Sequence, residues 1–295
     1  MRITNDLNLP EPFVDAARSG HVYTPGRYSA SDMIGGIRKA ILQRRHDDEI
    51  EVDASEQVWA IFGTAVHTIL ERASEGASQI KENKIVVTMP NGYELSGVFD
   101  LYDAETRTVT DYKTASVWKV NFGDFDEWRR QLGIYAYLLR AIGFDVERVQ
   151  VVALLKDHSK AKARTGEHPP LPVFVREWPF TDADYRETDA FLRGRFEEIE
   201  AAEELPDDEL PLCTEKERWS RGESYAVMKK GTKRAKKLFK TEVHGADAEW
   251  RAYDYAAAMG TGYTVEHRPG IDARCDGYCS AAPFCSHYKR ISEEA

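Results

Sequence analysis

The dipeptide Asn91-Gly92 constrains this chain more than any other feature. It separates residues 84–89 (KIVVTM) from residues 93–102 (YELSGVFDLY), two runs rich in β-branched and aromatic side chains. Asn-Gly between such runs is the strongest short hairpin signal, because both residues tolerate the positive φ of a tight turn. A third run, residues 108–114 (TVTDYKT), follows a short polar connection and extends the hairpin into a three-stranded meander. Helical periodicity brackets the meander. Upstream, Trp59, Phe62, Val66, Ile69, Leu70 and Ala73 form an apolar stripe that predicts a helix over 58–73. Downstream, Trp128, Leu132, Tyr135, Leu138, Leu139 and Ile142 predict another over 125–142, with Gly143 at its stop. Residues 149–155 (VQVVALL) then read as a strand covered on both faces. The resulting order is helix, three strands, helix, strand, an α/β core written αβββαβ. Before it, residues 28–45 predict a helix capped by Ser29 or Ser31 and weakened by Gly35 and Gly36.

At 295 residues the chain has room for one large domain or a core with a substantial extension. We place the core at 1–160 and a mostly helical extension at 161–295. The extension begins with the proline-rich HPPLPV at 168–173 and continues with a charged helix over 181–204, a basic segment, a short helix over 246–259 and a cysteine-rich tail. Hydrophobic residues at 42% and charged residues at 31% are ordinary for a soluble globular protein. No apolar run approaches the roughly 18 residues of a membrane span, and the opening MRITNDLNLPEPF lacks a signal-peptide pattern, so a cytoplasmic protein is expected.

A net charge of −10 argues against indiscriminate coating of nucleic acid, which basic charge drives. It leaves room for a local basic track. Lys229, Lys230, Lys233, Arg234, Lys236 and Lys237 form one, readable either as a phosphate-binding patch or as the solvated face of a charged helix.

Asp111 and Lys113 lie two apart on the third strand and therefore share a face. If the second and third strands turn about a centre between Glu105 and Thr106, Asp100 falls directly opposite Asp111. Cβ atoms of opposed residues are roughly 4.5–5.5 Å apart, close enough for two carboxylates to clamp one cation. Mg²⁺ or Mn²⁺ held this way suits phosphodiester hydrolysis, with Lys113 orienting the attacking water and stabilising developing negative charge.

These residues carry a resemblance. Gly97–Asp100 (GVFD), then D-Y-K from Asp111, then Gln131–Tyr135 (QLGIY), with Gly63–His67 (GTAVH) upstream, resemble the motifs of the PD-(D/E)XK nuclease superfamily. The branch they resemble is RecB-like, with CRISPR-associated nucleases and phage iron-sulfur exonucleases, and the likeness covers about residues 63–155. It implies a restriction-endonuclease-like fold and a catalytic set of His67, Asp100, Asp111, Lys113, Gln131 and Tyr135. Within that set His67, Asp100 and Asp111 would hold the metal, Gln131 and Tyr135 would line the DNA channel, and Glu71 is a weaker partner for His67. It further implies a metal-dependent DNA exonuclease in recombination, replication or DNA processing of a phage or prokaryote. The substrate would be single-stranded DNA or DNA with free ends, and a recombination or replication protein would be its partner. An endonuclease, or an inactive nucleic-acid-binding scaffold, are the alternatives.

Cys275, Cys279 and Cys285 are clustered, with Cys213 the one remaining cysteine. Three close thiolates plus one remote partner fit a [4Fe-4S] cluster, while structural Zn²⁺ more often shows two close pairs. In the iron-sulfur members of the branch the remote cysteine usually precedes the nuclease motifs, whereas here only Cys213 is available. His267 and His287 are alternative fourth ligands.

Overall fold

The computed structural model describes residues 1–18, 23–74 and 76–293. Chain contacts divide it into two compact units, Met1–Pro206 and Asp207–Ala295. The first unit is built on a six-stranded sheet.

Its elements begin with β1 (Arg27–Ser29), α1 (Ala30–Ile34) and α2 (Ile37–Arg45). The single helix predicted here is therefore broken at Gly35–Gly36, and Tyr28 joins the sheet. Ser29 caps α1 in a reciprocal capping box with Asp32. Next come α3 (Val58–Glu71), β2 (Gln79–Thr88), β3 (Glu94–Asp103) and β4 (Thr108–Ala115). Met89 and Tyr93 close the predicted hairpin through a 2.7 Å backbone bond, and Gly92 takes φ +88°. Then follow α4 (Asp126–Ala141), β5 (Arg148–Leu155), β6 (Val173–Pro179) and α5 (Asp182–Glu203). The sheet order is β1-β3-β4-β5-β6, with β2 on the other edge of β3.

Strand β6 begins where the proline-rich 168–173 ends, in residues to which the sequence assigned no element. It pairs antiparallel with β5 from Val173 to Pro179, and α5 leans on α4 through Tyr137 and Asp189, whose hydroxyl and carboxylate are 3.0 Å apart. These ties attach residues up to 206 to the nuclease-like core, beyond the boundary placed at 160. Strands β3, β4 and β5 bury Leu95, Phe99, Val109 and Val151 beneath α4, whose Leu132, Ile134, Leu138 and Leu139 are all buried. The apolar stripe of α3 behaves otherwise. None of its residues is fully buried, and Trp59, Phe62 and Ile69 are exposed. Only Ile61 packs against a small cluster of Val14, Ala17 and Ala54.

The second unit contains an antiparallel sheet of β7 (Ser224–Lys229), β8 (Ala235–Lys240) and β9 (Tyr263–Arg268), covered by α6 (Ala248–Met259). Val227, Phe239, Ala248, Ala252 and Ala256 form its core. Helices make up most of the regular structure after residue 160, yet the basic segment sits on this sheet and not on a helix. Among the described residues no helix is long and apolar enough to cross a membrane.

A candidate active site at a fork in the sheet

Strands β3 and β4 are hydrogen-bonded only over Leu101↔Thr110, Tyr102↔Val109 and Asp103↔Thr108. That register has its centre between Glu105 and Thr106, so Asp100 and Asp111 are the next opposed pair, just where the ladder ends. The strands part there, and an Asp100 carboxylate oxygen accepts the Tyr112 N–H at 2.5 Å, in place of a backbone carbonyl. Both carboxylates are deeply buried, Asp100 at 7% exposure and Asp111 at 3%.

Two like charges side by side in a low-dielectric site oppose each other's ionisation. Burial is the largest influence on Asp111 and pushes its carboxyl above the usual range, with Asp100 adding to the effect and Lys113 countering it. Lys113 Nζ stands 2.8 Å from Asp111 Oδ2 as its ion-pair partner. Among the described residues that oxygen has no hydrogen-bond donor besides this ammonium. Two buried carboxylates facing one ammonium leave negative charge that a cation would offset, and oxygen donors of this kind suit Mg²⁺ or Mn²⁺.

His67 enters from α3, its Nδ1 2.9 Å from Asp100 Oδ1. The hydrogen bond to Asp100 raises the imidazole pKa despite partial burial. Gly63, one turn earlier, faces β4, where a Cβ would make an ordinary contact with Thr114 Oγ1 at 3.7 Å. Glu71 lies exposed at the end of α3 and is not among the side chains found paired with His67.

On the far side, Lys113 Nζ donates to Gln131 Oε1 at 2.7 Å, and Gln131 Nε2 donates to the Tyr135 hydroxyl at 2.7 Å. Spacing of four residues on α4 aligns these two side chains. Burial raises the Tyr135 hydroxyl pKa, with the Asp111 charge adding to it. The relay Tyr135–Gln131–Lys113 thus fixes the Lys113 ammonium between the carboxylates and α4. Gly97 sets the height of α4 above the sheet, because a Cβ at that position would meet Leu138 Cδ1 at 2.7 Å and the Tyr135 ring at 3.0 Å. Gly97→Ala should lower the melting temperature by about 3–10 °C, given an overpacking cost of about 1–3 kcal/mol. Thermal unfolding read by circular dichroism checks this, and an unchanged melting point would show that Leu138 yields freely.

The motif reading missed Glu82. In the β2–β3 ladder Lys81 partners Leu101 and Asn83 partners Phe99, so Glu82 stands opposite Asp100, though outside the ladder. One ligand atom from each of His67, Glu82 and Asp100 lies within 4.8 Å of the others. The signal was available in principle, since counting back from Asp100 across the Asn91-Gly92 turn reaches Glu82. The sequence reading began this strand only at Lys84.

The second unit gathers the cysteines. All four are free thiols, and Cys213, Cys279 and Cys285 each act on the charge of Cys275. Burial, chiefly, and these neighbours push the Cys275 thiol up to about 12. Arg218 braces the group by bonding the Cys213 carbonyl and, at 2.9 Å, the Asp272 carboxylate. The two histidines considered as ligands are engaged elsewhere. His287 Nε2 is 2.7 Å from Asp272, and His267 lies over the Tyr225 ring, 3.6 Å from Glu223.

Lys229, Lys230, Lys233, Arg234, Lys236 and Lys237 follow the hairpin of β7 and β8, and all six are exposed. None is ion-paired with a carboxylate among the described residues; Lys237 rests over the rings of Phe239 and Tyr255.

A model of the PD-(D/E)XK nuclease superfamily matches residues 76–286, and the chain belongs to that superfamily. The match begins after α3, so His67 joins the site by its geometry. Among solved structures the chain is similar to an alkaline exonuclease from Laribacter hongkongensis, at 14% identity and a TM-score of 0.39 over 60% of this chain and 89% of that one. It is also similar to a phage related exonuclease from Haemophilus somnus 129PT, at 11% identity and a TM-score of 0.36 over 63% and 98%. No curated protein sequence matches it.

Proposed function

We propose that this protein is a metal-dependent deoxyribonuclease that hydrolyses phosphodiester bonds from DNA ends. The observation that carries the reading is the buried Asp100–Asp111 pair at the fork, with Lys113 ion-paired to Asp111. His67, Asp100 and Asp111 would hold Mg²⁺ or Mn²⁺, which when bound supplies charge neutralisation and a more acidic water. Asp100 holds His67 and the Tyr112 N–H in place. Lys113, aimed by Gln131, presents positive charge to the scissile phosphate and the attacking water. Action from ends, on single strands or free termini, follows the RecB-like resemblance, as does a role in recombination, replication or DNA processing. The test is end-labelled linear against closed-circular DNA with Mg²⁺, Mn²⁺ or chelator. Metal-dependent loss of the linear form alone is expected, nicking of the circle would make the protein an endonuclease, and intact DNA throughout would refute the proposal.

The exposed hairpin of the second unit supplies phosphate contacts in this reading. Reversing Lys233, Arg234, Lys236 and Lys237 to glutamate should weaken binding and lower the slope of log affinity against log salt by roughly one unit per lost contact. Fluorescence anisotropy at several salt concentrations measures it, and an unchanged slope would mark the hairpin as a merely solvated surface.

The four cysteines are assigned to a [4Fe-4S] cluster, with Zn²⁺ as the alternative metal. The donor set fits a soft metal, because all four are free and Cys213, Cys279 and Cys285 each lie near enough to Cys275 to act on its charge.

A further inference from the structure

Glu82 occupies a position that strand geometry does not favour. Its φ is +44°, in the left-handed region that a glutamate enters rarely, and it interrupts the β2 ladder between Lys81 and Asn83. The distortion turns its carboxylate into the fork, where Oε1 lies 3.8 Å from His67 Nδ1. There it meets Asp100, a second carboxylate, and burial together with that charge raises the Glu82 pKa. Among the described residues no Lys or Arg is paired with it; the cationic candidate is the imidazole it shares with Asp100. The arrangement is costly if the fork holds only protein.

We propose that Glu82 is a metal ligand, and that His67, Glu82 and Asp100 together hold a divalent cation on the β2 side of Asp100. Three observations converge on it. The donor atoms of the three side chains lie within 4.8 Å of one another, one nitrogen and two carboxylate oxygens, a set suited to Mn²⁺ or Mg²⁺. Asp100 is flanked in register by Glu82 on β2 and by Asp111 on β4, so three carboxylates line up across three adjacent strands. On the other side of Asp100, Asp111 Oδ2 already has Lys113 at 2.8 Å, so the fork sets three carboxylates against one lysine and one imidazole. Lys113 faces Asp111 and Gln131, leaving Glu82 and Asp100 without a lysine between them.

This inference rests on the metal-dependent reading of the site and adds a ligand to it. The test is calorimetric titration of the full chain with Mn²⁺, alongside Mn²⁺ electron paramagnetic resonance. Glu82→Gln should bind Mn²⁺ at least tenfold more weakly than the wild type, whereas Glu71→Gln, one turn beyond His67 on α3, should stay within about twofold. Glu82→Gly suits the left-handed backbone and should show the same loss of Mn²⁺ with an undiminished melting temperature in chelator. Wild-type Mn²⁺ affinity in both Glu82 variants would overturn the proposal. If Asp111→Ala weakens Mn²⁺ binding in the same series while the Glu82 variants do not, the metal site stands and only the role of Glu82 falls. If none of the variants alters Mn²⁺ binding, the metal-dependent reading falls with it.

Discussion

Asp111→Ala and Lys113→Ala are each expected to lower DNA hydrolysis by about 10²–10³-fold or more, the scale of losing one preorganised electrostatic group at a reacting centre. Binding of DNA and the fold should survive. Asp111→Ala removes no apolar surface, and burial beside Asp100 disfavours the Asp111 charge, with Lys113 countering only part of this. Single-turnover cleavage under excess enzyme, with melting curves and anisotropy alongside, separates chemistry from binding. Near wild-type cleavage by Asp111→Ala would sink the assignment. Tyr135→Phe should cost less, within roughly tenfold, because its hydroxyl accepts from Gln131 and so acts on Lys113 at one remove. Equal losses would instead give the tyrosine hydroxyl a direct part in the reaction.

Cys279→Ala carries the second large effect. Protein purified without oxygen should be brown and contain iron and acid-labile sulfide, and the variant should lose both. The reason lies in the second unit itself. Around Cys213 and the 275–285 segment the regular elements are short, Glu215–Arg218 and Ala273–Gly277, and neither contains a buried residue. Ion pairs such as Arg218–Asp272 and His287–Asp272 supply some order, but cluster binding would supply most of the folding free energy of this region. Melting should therefore fall by several degrees or more in the variant. Colourless protein with one equivalent of zinc would replace the cluster while keeping the staple; metal-free protein with unaltered melting would remove both.

The meander was legible because its signals are local. A turn dipeptide, β-rich runs and the two-residue period were enough to set the register at which Asp100 meets Asp111, and the structure continues that register to the last laddered pair. Gln131 and Tyr135 came from the family resemblance, and helix spacing put them on one face. What escaped depends on tertiary context. Strand β6 is fringed by prolines and gains its identity from pairing with β5. Tyr28 looked helical because α1 and α2 share one periodicity, while its place beside Leu95 in the sheet is settled by a partner far along the chain. The stripe of α3 shows the opposite limit: periodicity predicted a buried face, yet Trp59 and Phe62 stay exposed. Glu82 was hidden for a third reason: the register across the turn reaches it, but its left-handed backbone breaks the strand there and leaves no trace in propensity.

The division of one edge of β3 between two strands bears on how the molecule comes to be assembled. Its C-terminal end zips to β4 across a tight turn, and β4 then pairs with β5 at a sequence separation of 40 residues. Its N-terminal end must wait for β1, which arrives from 67 residues upstream, where Arg27 reaches Glu94. Closing that longer loop costs only modestly more entropy, but contacts of large sequence separation form late when nearer ones are already available. The strand bearing Asp100 would thus be anchored first at its catalytic end, and the N-terminal segment would act as a latch added to a fork that already exists.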